Sequence, residues 1–140
     1  MSTQIESFDV QHTSIGAPFD RVFSYIADPT NLPKWTNAFA EADETSAVMV
    51  TPNGQLKIRL ETKASKEHGT IDWYMTMPDG SVGTAFSRVT PNGSGTVYSF
   101  VLMAPPVPIE QVEGTLNQQK EILRKELAKL RRILEEMNNK

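Results

Sequence analysis

Two kinds of residue in this 140-residue sequence have the types and spacing for chemistry. The first is a set of large side chains at strand spacing: Trp73, Met75, Phe86, Tyr98 and Phe100. Such a set can wall a pocket for an apolar molecule, with a few polar groups fixing its orientation, and methionine adapts to irregular shapes. The same set also serves as ordinary core. The second kind is polar residues standing where apolar ones are expected. Gln119 interrupts a stripe formed by Val112, Leu116 and Leu123. An amide facing a dry core needs partners. A polar ligand group or a water in a cavity would supply them, unless the stripe drifts and leaves Gln119 at its margin. Arg88 alternates with Phe86; turned inward it could bind a carboxylate or enolate oxygen, turned outward it is a solvated strand end. Trp35 stands next to a helix break, where it either roofs a cavity or anchors the core. His12 shares a strand face with Phe8 and Val10 and either looks inward or is a surface histidine.

Other chemistries lack their residues. There is no G-x-S-x-G, no phosphate-binding glycine loop, no H-E-x-x-H and no dinucleotide fingerprint, so no cofactor is expected. Cysteine is absent, which removes thiol nucleophiles, disulfides and Cys-ligated zinc. His12 and His68 are far apart and have no metal-ligand spacing, so no metal is expected. Asp43–Glu44 and Glu135–Glu136 are sequence neighbours that face different ways, and so form no acid/base pair. A net charge of -3 gives no basic field for nucleic acid. MSTQIESFDV has neither a basic nor an apolar leader region, and no run is long enough to span a membrane, so the expected home is the cytoplasm.

The elements that must position these residues follow from periodicity and turn chemistry. Ser7 to Ile15 reads as a strand. After Gly16-Ala17-Pro18, the residues Phe19, Val22, Phe23 and Ile26 lie on one helical face. Asp28-Pro29 stops that helix, and Thr30 to Trp35 makes a second short helical turn. Asn37 to Thr51 is a weaker strand with a polar middle that bends or turns. Pro52-Asn53-Gly54, Lys66 to Gly69, Pro78-Asp79-Gly80 and Pro91 to Gly95 are turns. They separate strands at Leu56–Thr62, Thr70–Met77, Ser81–Thr90 and Thr96–Ala104. Tight turns between successive strands imply an antiparallel sheet. Pro108 to Lys140 reads as one long helix with Leu116, Leu123, Leu127, Leu130, Leu134 and Met137 along one stripe. Its distal part reaches beyond a small sheet, which suggests a second copy as partner, a homodimer through this helix. The expected fold is α+β in a single domain over residues 1–140: a curved antiparallel sheet around a long C-terminal helix, with two short helices after the first strand.

Three stretches carry a family resemblance: SIGAPFDRVFSYIADPTNLPKW at residues 14–35, RVTPNGSGTVYSF at 88–100, and the final amphipathic helix. Together they resemble the helix-grip fold of the START and birch-pollen-allergen (SRPBCC) superfamily, and its polyketide cyclase/dehydrase-like branch in particular. The resemblance implies a bent sheet wrapped around the last helix, with a cavity between them for apolar or amphipathic molecules. Under it the ligand-binding set is Trp35, Trp73, Met75, Phe86, Arg88, Tyr98, Phe100, Leu116, Gln119 and Leu123. The family has no single reaction, and fold does not choose among its activities. Three readings follow: a protein that binds a small hydrophobic molecule; a cyclase/dehydratase-like enzyme that moves protons with Asp72, Tyr98, Arg88 or a water; and an interaction module of the chaperone-activator type.

Overall fold

The computed structural model describes residues 8–51, 54–103 and 116–139. Seven strands form one antiparallel sheet: β1 (Phe8–Ile15), β2 (Phe39–Ala42), β3 (Ser46–Thr51), β4 (Gly54–Ser65), β5 (Thr70–Thr76), β6 (Val82–Asn92) and β7 (Gly95–Met103). Their order is β1-β7-β6-β5-β4-β3-β2, so every neighbour except the β1–β7 pair is also a neighbour in sequence. The sheet curls into a half-barrel. Helix α1 (Phe19–Ala27), a 3-10 turn (Pro29–Asn31) and the single turn α2 (Leu32–Trp35) lie between β1 and β2, and α3 (Leu116–Asn138) closes the concave face.

Local chemistry explains the breaks. Asp28 leaves the helical region before Pro29, and its Oδ1 accepts from the Thr30 amide (3.0 Å) and hydroxyl (2.7 Å), which starts the next turn. The weak strand expected at Asn37–Thr51 is two strands. Asp43 Oδ1 accepts from the Thr45 and Ser46 amides at 2.9 and 2.8 Å and folds the polar middle into a hairpin. The sheet therefore has one strand more than the periodicity suggested. At the turn between β4 and β5, Gly69 has φ 74° and lies against the Val89 carbonyl, where a side chain would have no room.

The core forms where α1 and α3 meet the inner face of the sheet. Val22, Phe23 and Ile26 of α1 are buried as their spacing predicts, and so are Leu123, Leu127, Leu130 and Leu134 of α3. The helix is tied along its length. The Gln11 amide donates to Lys120 O (2.9 Å), Arg21 Nη1 to Met137 O (2.7 Å) and the Gly16 amide to Glu135 Oε2 (2.7 Å). That last bond holds the Glu135 carboxyl below its ordinary value. The distal seam, expected to run past the sheet towards a second copy, is instead buried in the chain's own core. Only Met137 of that seam is exposed, at 39%. The first part of the expected helix, residues 108–115, lies outside the described residues, as does the side chain of Leu116.

Leu130 is fully buried and Met137 is not, so truncating them should cost very different amounts. Leu130→Ala is expected to lower the unfolding free energy by about 3 kcal/mol. Met137→Ala should change it by less than about 0.5 kcal/mol. Urea unfolding of both variants checks this; equal costs would contradict the packing described for α3.

Candidate functional site

The two halves of α3 meet the sheet differently. From Leu127 onward the leucines close onto the core. From Gln119 to Glu126 the sheet stands away from the helix and leaves a cavity of about 510 Å3. Its walls come from this stretch of α3, from α2 and the start of β2, and from the inner faces of β3 to β7. On β6 the inward residues are the small Gly83 and Ala85, paired across the sheet with Met75 and Trp73. Phe39, Met49, Leu56, Met77 and Leu102 complete an apolar lining.

Of the residues expected from the sequence, Trp35, Trp73, Met75, Phe100, Gln119 and Leu123 come together around this cavity. Trp73 and Phe100 pack with ring centroids 6.0 Å apart. Three others are elsewhere. Phe86 faces the opposite side of the sheet, where it meets Tyr74 edge-on at 6.2 Å. Arg88, two residues on, is exposed on that same outer side and lines no part of the cavity. Strand parity dictates both placements, because Gly83, Ala85, Ser87 and Val89 are the buried residues of β6. Tyr98 does face inward, but it sits wholly buried with its ring edge-on to Phe100 (6.4 Å) and is not part of the lining. Burial raises its phenol well above the ordinary range. Asp72, paired across the sheet with Phe86, does not line the cavity either. None of Asp72, Tyr98 and Arg88 is therefore placed to move a proton within it. His12 is exposed with Phe8 and Val10 on the outer side of β1.

The polar group that sequence reasoning missed is Glu126. It is 9% exposed and lines the cavity. Its Oε2 accepts from the Thr36 hydroxyl (2.7 Å) and the Asn37 amide, while Thr36 Oγ1 accepts from the Ala38 amide (3.1 Å). These bonds fasten α3 to the junction of α2 and β2. Burial raises the Glu126 carboxyl above its ordinary value, and the hydrogen bonds from Thr36 and Asn37 only partly offset that. A signal for it exists in the sequence: Glu126 follows Leu123 by three and Gln119 by seven, which places it on the cavity stripe. A search for neighbouring acid pairs passes over a lone one. Gln119 is 7% exposed, lines the same cavity, and its amide has no hydrogen-bond partner among the described residues. The indole N–H groups of Trp35 and Trp73 are likewise buried without partners. At the rim, Asp79 is exposed, and hydrogen bonds from the Ser81 hydroxyl and amide hold its carboxyl below the ordinary value. No group of three or more potential metal ligands occurs among the described residues, and no helix of the described residues is long and apolar enough to cross a membrane.

Comparison with known proteins places this architecture. The family model described as polyketide cyclase / dehydrase and lipid transport matches residues 7–135. Solved structures of the same fold include XoxI from Bacillus cereus, with a TM-score of 0.65 at 14% identity, covering 91% of this chain and 95% of that one. A START superfamily protein from Mycobacterium smegmatis gives 0.61 at 13% identity, covering 94% and 97%. The di-domain ARO/CYC protein BexL of the BE-7585A biosynthetic pathway gives 0.64 at 14% identity, covering 90% of this chain and 45% of that one. No curated protein matches the sequence.

Because the Glu126 carboxyl is raised in the folded chain, folding there favours the protonated form. Its contribution to stability is fully present below the unfolded value, near 4.5, and is lost as pH rises through the folded value. Glu126→Gln removes that dependence. The difference in unfolding free energy, variant minus wild type, should therefore increase as pH rises from about 4.5 towards neutrality. Lowered carboxyls such as those of Asp43, Asp79 and Glu135 act in the opposite sense but cancel in the difference. Urea unfolding at stepped pH measures it, and a flat or falling difference contradicts the assignment.

Proposed function

The chain belongs to the polyketide cyclase / dehydrase and lipid transport family, and on that premise we propose that it binds a small hydrophobic or amphipathic molecule between the curved sheet and α3. One observation carries this reading: an apolar cavity of about 510 Å3 that the described side chains leave unfilled. That volume falls within the roughly 300–1,000 Å3 usual for small-molecule sites. A void of this size forfeits packing that a closed core would keep, and an apolar ligand restores those contacts. Trp73, Met75, Phe100 and Leu123 supply the apolar wall, Trp35 closes one side, and Gln119 and Glu126 supply polar groups along α3.

A second reading has its own observation. Glu126 is a buried carboxyl with a raised pKa on the wall of the cavity, and a group of that kind is a candidate for general acid/base work. A cyclase- or dehydratase-like activity would use the same cavity. Holding a flexible chain in a reactive shape would contribute much of the rate. Turnover distinguishes the two readings: a bound molecule recovered unchanged supports binding, and one converted at a rate that falls with Glu126→Gln supports catalysis.

Native mass spectrometry of protein purified from its own host is expected to show a stoichiometric small molecule, released and identified on denaturation. The recombinant chain should also take up N-phenyl-1-naphthylamine, an uncharged fluorescent probe. Ala85→Phe, which extends a ring from β6 into open space, is expected to weaken that uptake at least about tenfold, a loss of about 1.4 kcal/mol. Equal uptake by a folded Ala85→Phe protein would place the probe elsewhere and remove the support for this site.

A further inference from the structure

The ionisable groups on the cavity wall are all of one sign. Among the described residues these are buried Glu126 and exposed Asp79, with no Lys, Arg or His. Arg88, the cation that the strand pattern brought into question, is on the outer side of the sheet. The cation acting on Glu126 is Lys129, which is exposed, one turn further along α3 and outside the lining.

Glu126 is also fixed in orientation. The Thr36 hydroxyl and the Asn37 amide both donate to the same oxygen, Oε2, and the Ala38 amide fixes Thr36 Oγ1 in turn. The other oxygen, Oε1, has no protein partner among the described residues. With Oε2 occupied by two donors, a proton goes to Oε1 and both bonds to Oε2 persist in either charge state. The carboxyl therefore offers one oxygen to the cavity, as an acceptor when charged and as a donor when neutral. Gln119 lies seven residues earlier on the same stripe, about 10 Å along the helix axis. Its amide, more than nine-tenths buried and unpartnered, offers both a donor and an acceptor.

We propose that Glu126 Oε1 and the Gln119 amide form a polar anchor that admits uncharged or cationic amphiphiles bearing a hydroxyl or amine and rejects carboxylates and phosphates of the same size. This rests on the reading of the cavity as a ligand site and names the chemical class of its occupant. A hydroxyl donates to the charged Oε1 or accepts from the neutral one. An ammonium pairs with it directly. Where Glu126 is charged, an anionic head meets a like charge in a desolvated wall with no cation to offset it; where Glu126 is neutral, the anion gains one hydrogen bond from Oε1 but no counter-charge for its own desolvation. The apolar body of the ligand then lies along Ile122 and Leu123, facing Met75 and Phe100.

Three probes with one two-ring body test this: 2-naphthol, 2-(aminomethyl)naphthalene and 2-naphthoate, each competing at pH 7 with N-phenyl-1-naphthylamine. In the wild-type protein the naphthol and the amine are expected to displace it at concentrations at least about tenfold below the naphthoate. In Glu126→Gln that gap should shrink below about threefold. Gln119→Leu should erase any tighter binding of 2,6-dihydroxynaphthalene over 2-naphthol. Displacement by naphthoate as strong as by naphthol overturns the anchor while leaving the cavity reading intact, and the wild-type comparison decides this even if Glu126→Gln fails to fold. An undiminished gap in folded Glu126→Gln removes Glu126 from the anchor, and no diol preference in the wild type removes Gln119. A chain that takes up none of the probes overturns the cavity reading and the anchor together.

Discussion

Everything in this molecule depends on how the apolar stripe of α3 is covered. A sheet of seven strands can curl around a helix, but one concave face must cover six turns of it, and it does so unevenly. Against Leu127, Leu130 and Leu134 the covering is complete, with Ile15, Ile71, Val89 and Tyr98 also buried to 1% exposure or less. Against Gln119, Ile122, Leu123 and Glu126 it is not, and the gap is the cavity. The stripe itself records this division. Its leucines are unbroken where the core is closed and interrupted by an amide and a carboxyl where it is open.

Glu126 stands at the boundary between these regimes. Its bonds to Thr36 and Asn37 connect α3 to the short α2 and to β2, the edge strand that ends the sheet. Directly after that junction β2 has an irregular register between Phe39 and Glu41, of the kind that bends a strand. A single carboxyl thus joins the element that closes the cavity to the strand that borders it. Burying it opposes its ionisation, and a buried carboxyl is an inefficient way to hold a helix in place.

The fold was legible because turn residues do most of the work in an antiparallel sheet. Pro78-Asp79-Gly80 and Pro91 to Gly95 mark hairpins without reference to anything distant. The division of Asn37–Thr51 was less clear, since it depends on the Asp43 side chain closing a turn among otherwise ordinary polar residues. The site was legible where large side chains face inward, as with Trp73, Met75 and Phe100. It was illegible on β6 for a definite reason. The rule that bulky apolar residues lie inside assumes an interior that must be filled. A strand facing a cavity inverts it: small Gly83 and Ala85 turn inward, and Phe86 finds a place outside beside Tyr74. Glu126 escaped because its partners, Thr36 and Asn37, lie about ninety residues away, and no local pattern announces a contact of that range.

The separation of closed core and open cavity along one helix has an evolutionary consequence. A residue such as Leu130 is constrained on all sides, and shortening it creates an enclosed void. A residue such as Met75 or Leu102 already borders open space, so shortening it enlarges a cavity without creating one. Under the proposed function, selection on ligand shape can therefore act on the walls with little penalty in folding, while Leu127, Leu130 and Leu134 keep the scaffold intact. A fold built this way can drift from one small molecule to another through viable intermediates.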